Sequence, residues 1–258
     1  MVNDNIRHRT VTIIIPTYNE KENLPLLVNK IFNVFQEYGL FGEVIVVDDN
    51  SPDGTGRIAD ELSKTDNRIK LIHRKGKEGL SSAVVEGFKH ADGEIIGVMD
   101  ADLSHPPEVI PELVWPIING GSEFVIASRY LNNNNIENWP ISRKIISRGA
   151  MLLARPLTNV KDSMSGYFFF KKSVIDGIEL SPTGYKILLE IIVKGKYKNI
   201  KEVAYSFKDR FKGKSKLDWK EHLNYLLLLI KLYMFDFKKI FYRCVKSVLL
   251  YVVILNGR

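Results

Sequence analysis

Between Val11 and Met99 the chain alternates four short apolar runs with three stretches of helical periodicity, and no other feature restricts its fold as strongly. Val11–Ile15 is β-branched and closes on Pro16. Leu24, Leu27, Val28, Ile31, Phe32 and Phe35 then recur at spacings of three and four, which predicts one apolar helix face. Val44–Val47, Ile69–Ile72 and Glu94–Met99 read as further strands, separated by helices from about Thr55 and over Gly79–Ala91. Strands this uniformly apolar are buried on both faces, as in a parallel sheet covered by helices. The expected fold class is therefore α/β, with a mostly parallel sheet flanked by helices. Downstream, Pro107–Ile118 reads as a helix, Phe124–Ser128 as a strand and Asn132–Asn135 as a polar loop. Ile141–Leu153 and Lys186–Val193 read as helices. No repeat and no linker divides the chain, and its length suits one sizeable core.

In such sheets, ligands bind at the carboxyl ends of the strands. Three polar clusters fall there: Pro16-Thr17-Tyr18-Asn19-Glu20, Asp48-Asp49 and Asp100-Ala101-Asp102. In a turning segment Asp100 and Asp102 can aim at one point, where two carboxylates need a cation between them. Hard oxygen ligands favour Mg²⁺ or Mn²⁺, ions that keep waters and bind a substrate diphosphate. Alone, the D-x-D spacing is weak evidence, because loop aspartates commonly cap turns.

The ordered set PTYNE, VDDNSPDGT, GLSSAVVEGF and MDADLSHPPE, spread over Val11–Arg129, resembles the family 2 glycosyltransferases. The segments SRY (Ser128–Tyr130), RKIISRGA (Arg143–Ala150), GYKILLE (Gly184–Glu190) and FKDRFKGKSKL (Phe207–Leu217) resemble the branch of that family that makes dolichyl phosphate mannose. The resemblance implies a GT-A nucleotide-diphospho-sugar transferase fold over residues 1–217. It also implies inverting transfer of mannose from GDP-mannose to a dolichyl or other polyprenyl phosphate. The nucleotide-binding half is nearly indifferent to the sugar, so a polyprenyl-phosphate glucosyltransferase using UDP-glucose is the alternative within this class.

Residue by residue, the resemblance implies that Pro16, Tyr18, Glu20, Val47 and Asp49 hold the nucleoside, with Asp48 beside them. Asp100 and Asp102 would hold Mg²⁺ or Mn²⁺, and the backbone of Ala101 would lie along the nucleotide. Some relatives have Gln as a third ligand where this chain has Ser104, so Ser104, a water or His105 is left for that place. Oxygen preference makes His105 the weaker choice, a surface or packing residue. Arg129, Arg143, Ser147, Arg210 and Lys216 match phosphate-binding positions, and Lys186 is assigned with them. Asp162 matches an acidic position only loosely and is given no role. The chemistry agrees: bringing a diphosphate and an acceptor phosphate together needs positive charge, and Arg binds phosphate oxygens bidentately. Arg143 and Ser147 are four apart and share a helix face. A phosphate acceptor is already ionised, so no general base is expected.

The charge is unevenly placed. The net charge is +7, yet residues 196–258 hold 15 Lys/Arg against 5 Asp/Glu. Leu223–Ile230 and Val248–Leu255 are apolar runs on either side of Lys238, Lys239, Arg243 and Lys246. Neither run approaches the roughly 20 apolar residues of a spanning helix. Residues 218–258 are expected to form amphipathic helices lying at a membrane surface, with basic side chains toward headgroups. The competing expectation is a helix packed on the protein's own core. Leucine-rich basic runs suit lipid better than a duplex groove, so no nucleic-acid partner is expected. A noncatalytic membrane-binding module is the reading outside enzymes. A dinucleotide dehydrogenase is disfavoured, because Pro16-Thr17-Tyr18-Asn19 stands where G-x-G-x-x-G would follow strand one. The amino terminus lacks an apolar signal core and Cys244 is the only cysteine, which fits the cytoplasmic face of a membrane. Relatives that carry transmembrane helices after the catalytic domain leave room here for a membrane-anchor partner protein.

Overall fold

The computed structural model describes the backbone of residues 10–131, 141–207 and 219–256, and side chains within 10–131, 146–207 and 220–238. Its centre is a seven-stranded sheet. The strands are β1 (Val11–Thr17), β2 (Gly42–Asp48), β3 (Ile69–His73), β4 (Ile95–Val98), β5 (Phe124–Ser128), β6 (Phe168–Lys171) and β7 (Ile200–Ala204). The order is β3-β2-β1-β4-β6-β5-β7. β1 pairs in parallel with β2 and β4, β2 with β3, and β5 with β7, while β6 runs antiparallel to both β4 and β5. β6 and β7 are absent from the sequence reading. β6 is only four residues long, reads Phe-Phe-Phe-Lys and lacks the punctuation that marks a strand.

The helices are α1 (Leu24–Tyr38), α2 (Thr55–Thr65), α3 (Leu80–His90), α4 (Ile110–Ile118), α5 (Ile141–Ala154), α6 (Ile187–Lys194) and α7 (Trp219–Asn256). α1 buries Leu24, Leu27, Val28, Ile31, Val34 and Phe35, and Gly39 ends it with φ 63°. That left-handed conformation is one glycine adopts without strain. The helix expected over Pro107–Ile118 splits into a 3₁₀ turn, Pro107–Val109, and α4. One core layer joins α1 and α4 to one sheet face, and a second joins α3 and α6 to the other. Where β4 crosses β6, Gly97 lies opposite Phe169. A Cβ at Gly97 would run into the Phe169 ring, so this crossing needs glycine.

The two apolar runs of the tail lie in one continuous helix, α7, of 38 residues. Tyr225, Leu228, Leu229 and Leu232 of its first half pack with Ala154, Met164, Leu189 and Val193 into a third cluster. The Tyr225 hydroxyl donates to Ala150 O at 2.5 Å, and that of Tyr233 to Leu153 O at 2.6 Å, so α7 is tied to α5. The remaining side chains leave an apolar exterior: Leu226, Ile230, Met234 and Phe237 are exposed, as are Leu152 and Leu153 of α5. Among the described residues, no helix is long and apolar enough to cross a membrane.

Candidate active site

A cavity of about 430 Å³ opens where β1, β2, β4 and β5 end. Its walls include Pro16, Tyr18, Glu20, Asp49, Asp100, Ala101, Asp102, Ser104, Arg129, Ser147 and Lys186. Sequence reading named all of these. Two more of its choices stand beside the cavity rather than in its wall. Val47 is fully buried in the sheet core. Asp48 caps the turn behind it, accepting from the Ser51 amide at 3.0 Å, the Ser51 hydroxyl at 2.5 Å and the Thr17 hydroxyl at 3.2 Å. Arg210, Lys216 and the loop Asn132–Asn135 lie outside the described residues. Arg143 lies on α5, one turn before Ser147, with its side chain outside that description.

β1 delivers its polar residues where its pairing with β4 has stopped, since that ladder ends at Ile14 and Val98. Pro16, which has no N–H to give, can stand there at no cost to the β4 ladder. Asp49 organises the opposite wall. Its carboxylate accepts from Arg74 Nη1 at 2.8 Å, from the Glu78 amide at 2.9 Å and from the Gly79 amide at 2.8 Å. This ties the loop that starts α3 to the end of β2. The same loop carries Lys77, whose Nζ sits 4.1 Å above the Tyr18 ring. Lys77 lines the cavity and was not singled out in the sequence, because an isolated Lys in a loop carries no pattern.

The acidic pair follows β4. Asp102 is buried, and its Oδ1 accepts from the Ser104 amide at 3.1 Å and the Ser104 hydroxyl at 2.5 Å. Ser104 therefore helps orient Asp102. Leu103 between them has φ 62°, the left-handed turn that lets the chain double back. His105, on the third position after Asp102, is buried, with Nδ1 accepting the Asp100 amide at 2.9 Å. Burial holds its pKa below the ordinary histidine value, against the pull of Asp100 and Asp102. Among the described residues, no group of three or more His, Cys, Asp or Glu side chains could hold a metal. Two carboxylates that leave the remaining positions to water and a diphosphate are a donor set that fits Mg²⁺ or Mn²⁺.

The positive side of the cavity starts at the end of β5. Arg129 is gripped by Asp162, a residue with no exposed surface. The Asp162 carboxylate accepts from Arg129 N at 2.9 Å, Nε at 2.8 Å and Nη2 at 2.8 Å. Glu202 of β7 in turn accepts the amides of Lys161 and Asp162, at 2.9 and 3.0 Å. Burial alone would lower the Arg129 pKa, but the charge and hydrogen bonds of Asp162 outweigh it and push it above the ordinary arginine value. Lys186 sits at the amino end of α6 and lines the same space. Burial, and then the charge of Arg129, bring its pKa down to about 8. The Ser147 hydroxyl meets that of Tyr130 at 2.8 Å. Near Ser147 the wall carries apolar side chains, Ile146 and Ala150 of α5, Met164, and Tyr225 of α7, beside Glu221 and His222 of α7.

Fold and site together define a nucleotide-sugar transferase of the GT-A type. The glycosyl transferase family 2 model matches residues 12–178, and the chain belongs to that family. Within it, the chain is similar to proteins that share one name. A dolichol-phosphate mannosyltransferase of Pyrococcus furiosus is 49% identical over 226 residues, covering 86% of this chain. This chain spans only 63% of that protein's length. Those of Mycosarcoma maydis and Saccharomyces cerevisiae are 40% and 37% identical, each over 88% of this chain and over 80% and 88% of their own lengths. Among solved structures, glucosyl-3-phosphoglycerate synthase of Mycobacterium tuberculosis in complex with UDP has a TM-score of 0.65 at 18% identity, covering 88% of this chain and 81% of its own. The same enzyme with Mn²⁺, UDP-glucose and phosphoglyceric acid has a TM-score of 0.62 at 18% identity, covering 81% of this chain and 74% of its own. At that identity the likeness speaks for the fold.

Proposed function

We propose that this glycosyltransferase moves mannose from GDP-mannose to a dolichyl or other polyprenyl phosphate, with inversion, to give a β-linked lipid phosphate mannose. One observation carries the reading. A single cavity brings together the Asp100–Asp102 pair, Arg129 and Lys186, and an apolar stretch made by Ile146, Ala150, Met164 and Tyr225. The carboxylates call for a cation and a diphosphate, the guanidinium and ammonium groups for anionic oxygens, and the apolar stretch for a lipid acceptor. The shared name of the relatives supports the same donor and acceptor.

Asp100 and Asp102 would hold Mg²⁺ or Mn²⁺, which supplies positive charge to a departing diphosphate. Tyr18, Glu20 and Asp49 shape the end that takes the nucleoside. Arg129 and Lys186, with Arg143 from α5, offset the repulsion between the two anions, and the Ser147 hydroxyl offers a hydrogen bond. Arg129 is held in one orientation by Asp162, so little reorganisation is left for the reaction itself. An acceptor phosphate oxygen forms the new bond to the anomeric carbon as the bond to the nucleoside diphosphate breaks. No proton has to be removed from the nucleophile, in keeping with a cavity that uses its titratable groups for charge and position. The exposed apolar side chains of α5 and α7, with the basic tail, support a position on the cytoplasmic face of a membrane.

The test is a donor competition. Purified chain is incubated with polyprenyl phosphate in anionic vesicles, Mn²⁺ and equimolar GDP-mannose and UDP-glucose. Mannosyl lipid as the main product, made by protein that sediments with the vesicles, is the expected result. Glucosyl lipid as the main product overturns the sugar assignment, and transfer by protein left in the supernatant overturns the membrane one.

A further inference from the structure

We propose that His105 is a positioning residue for Asp100, holding its backbone amide in place before a cation arrives. The inference rests on the reading that Asp100 and Asp102 hold a divalent ion. It assigns His105 no bond to that ion.

One imidazole faces both ends of Asp100. Its Nδ1 accepts the Asp100 amide at 2.9 Å, and its Nε2 stands 3.8 Å from Asp100 Oδ2. A ring nitrogen that accepts carries no hydrogen, so the neutral ring has its hydrogen on Nε2, the edge turned to the carboxylate. Nδ1 is then spent on the Asp100 amide and Nε2 carries the hydrogen, so neither nitrogen offers a lone pair to a metal. That removes His105 as a third ligand and gives it a different task.

The ring itself is immobilised. Tyr167 stacks on it with centroids 5.0 Å apart and planes at 14°, and the Tyr167 hydroxyl donates to Pro106 O at 3.0 Å. Tyr205 and Phe207 meet it edge-on, at 6.1 and 6.4 Å. Gly166 gives the clearance: a Cβ there would come within 3.1 Å of His105 Cε1 and 3.2 Å of Asp100 Oδ2. Each aspartate of the pair thus has a neighbour that helps position it, Ser104 at the Asp102 carboxylate and His105 at the Asp100 amide. Groups that orient a ligand without touching the metal raise metal affinity by about 10–100-fold when intact.

Two variants separate the acceptor from the ring. His105→Phe keeps the stack on Tyr167 and removes the acceptor. His105→Asn removes the ring and keeps a carbonyl oxygen near the place of Nδ1. Calorimetric titration of GDP, with Mn²⁺ and with EDTA, yields the ratio of the two affinities, which reads the cation's contribution without any turnover. The expected result is a ratio about tenfold smaller in His105→Phe, with GDP binding in EDTA unchanged, and a ratio close to wild type in His105→Asn. A wild-type ratio in His105→Phe overturns the proposal. So does an equal loss in both variants, which would assign the effect to ring packing. A wild-type chain whose GDP affinity ignores Mn²⁺ overturns the metal reading itself, and this inference falls with it.

Discussion

Asp102→Ala is expected to lower the rate of sugar transfer by about 10³-fold, because a cation contributes several kcal/mol to a transition state that builds charge on a leaving diphosphate. The carboxylate is buried and held by two hydrogen bonds from Ser104, so its position is fixed before substrate binds. On the proposed reading, alanine removes one of the two carboxylates that would hold the cation. The fold should survive, because Asp102 lines the cavity and is not part of the sheet core. Turnover of the purified variant, with its thermal midpoint as control, checks this. A variant with a tenth of wild-type activity and a normal midpoint would mean that Asp102 is not a metal ligand.

Asp162→Asn is expected to affect both stability and rate. The amide keeps the shape but removes the charge opposite a buried guanidinium. Breaking such a pair from one side costs about 3–5 kcal/mol. Arg129 would lose the bidentate grip that aims it into the cavity, and the rate should fall by about 10²-fold. Urea unfolding and initial-rate measurements read the two effects separately. Adding Arg129→Leu should restore part of the stability, since it removes the stranded charge, and should restore none of the rate. Recovery of both would show that Arg129 serves the fold and not the substrate.

The contrast between these two aspartates shows what a sequence can reveal. Asp102 announces itself by its spacing from Asp100 and by its place after a strand, two local signals. Asp162 has neither. Its importance comes from Arg129, 33 residues away in the chain, and from Glu202, a further 40 along, and such pairings appear only when β5 and β7 lie side by side. His105 is a similar case. It reads as a packing residue, and it is packed, but the same ring carries the Asp100 amide. Ser104 occupies a ligand's position in the motif while its hydroxyl is directed at Asp102.

For the fold, periodicity located β1 to β5 and α1 to α6 because each is long or uniform enough to show its repeat. α3, for instance, is expected over Gly79–Ala91 and observed over Leu80–His90. β6 is too short for a repeat and runs against its neighbours, so neither its existence nor its direction was legible. β7 reads Ile-Lys-Glu-Val-Ala, whose adjacent Lys and Glu break both alternation and an apolar run, and it closes one edge of the sheet. The tail presented two apolar runs divided by basic residues. The structure makes them one helix whose first half is bound to α5 and α6, with further apolar side chains left outside.

The most direct test of the central claim is the anomeric configuration of the product. Purified chain, short-chain polyprenyl phosphate, Mn²⁺ and GDP-mannose should yield a lipid phosphate mannose whose NMR couplings show a β-linkage, inverted from the α-linked donor. An α-linked product would contradict a single in-line displacement in this cavity. Free mannose, or no product at all, would contradict the proposed lipid phosphate acceptor.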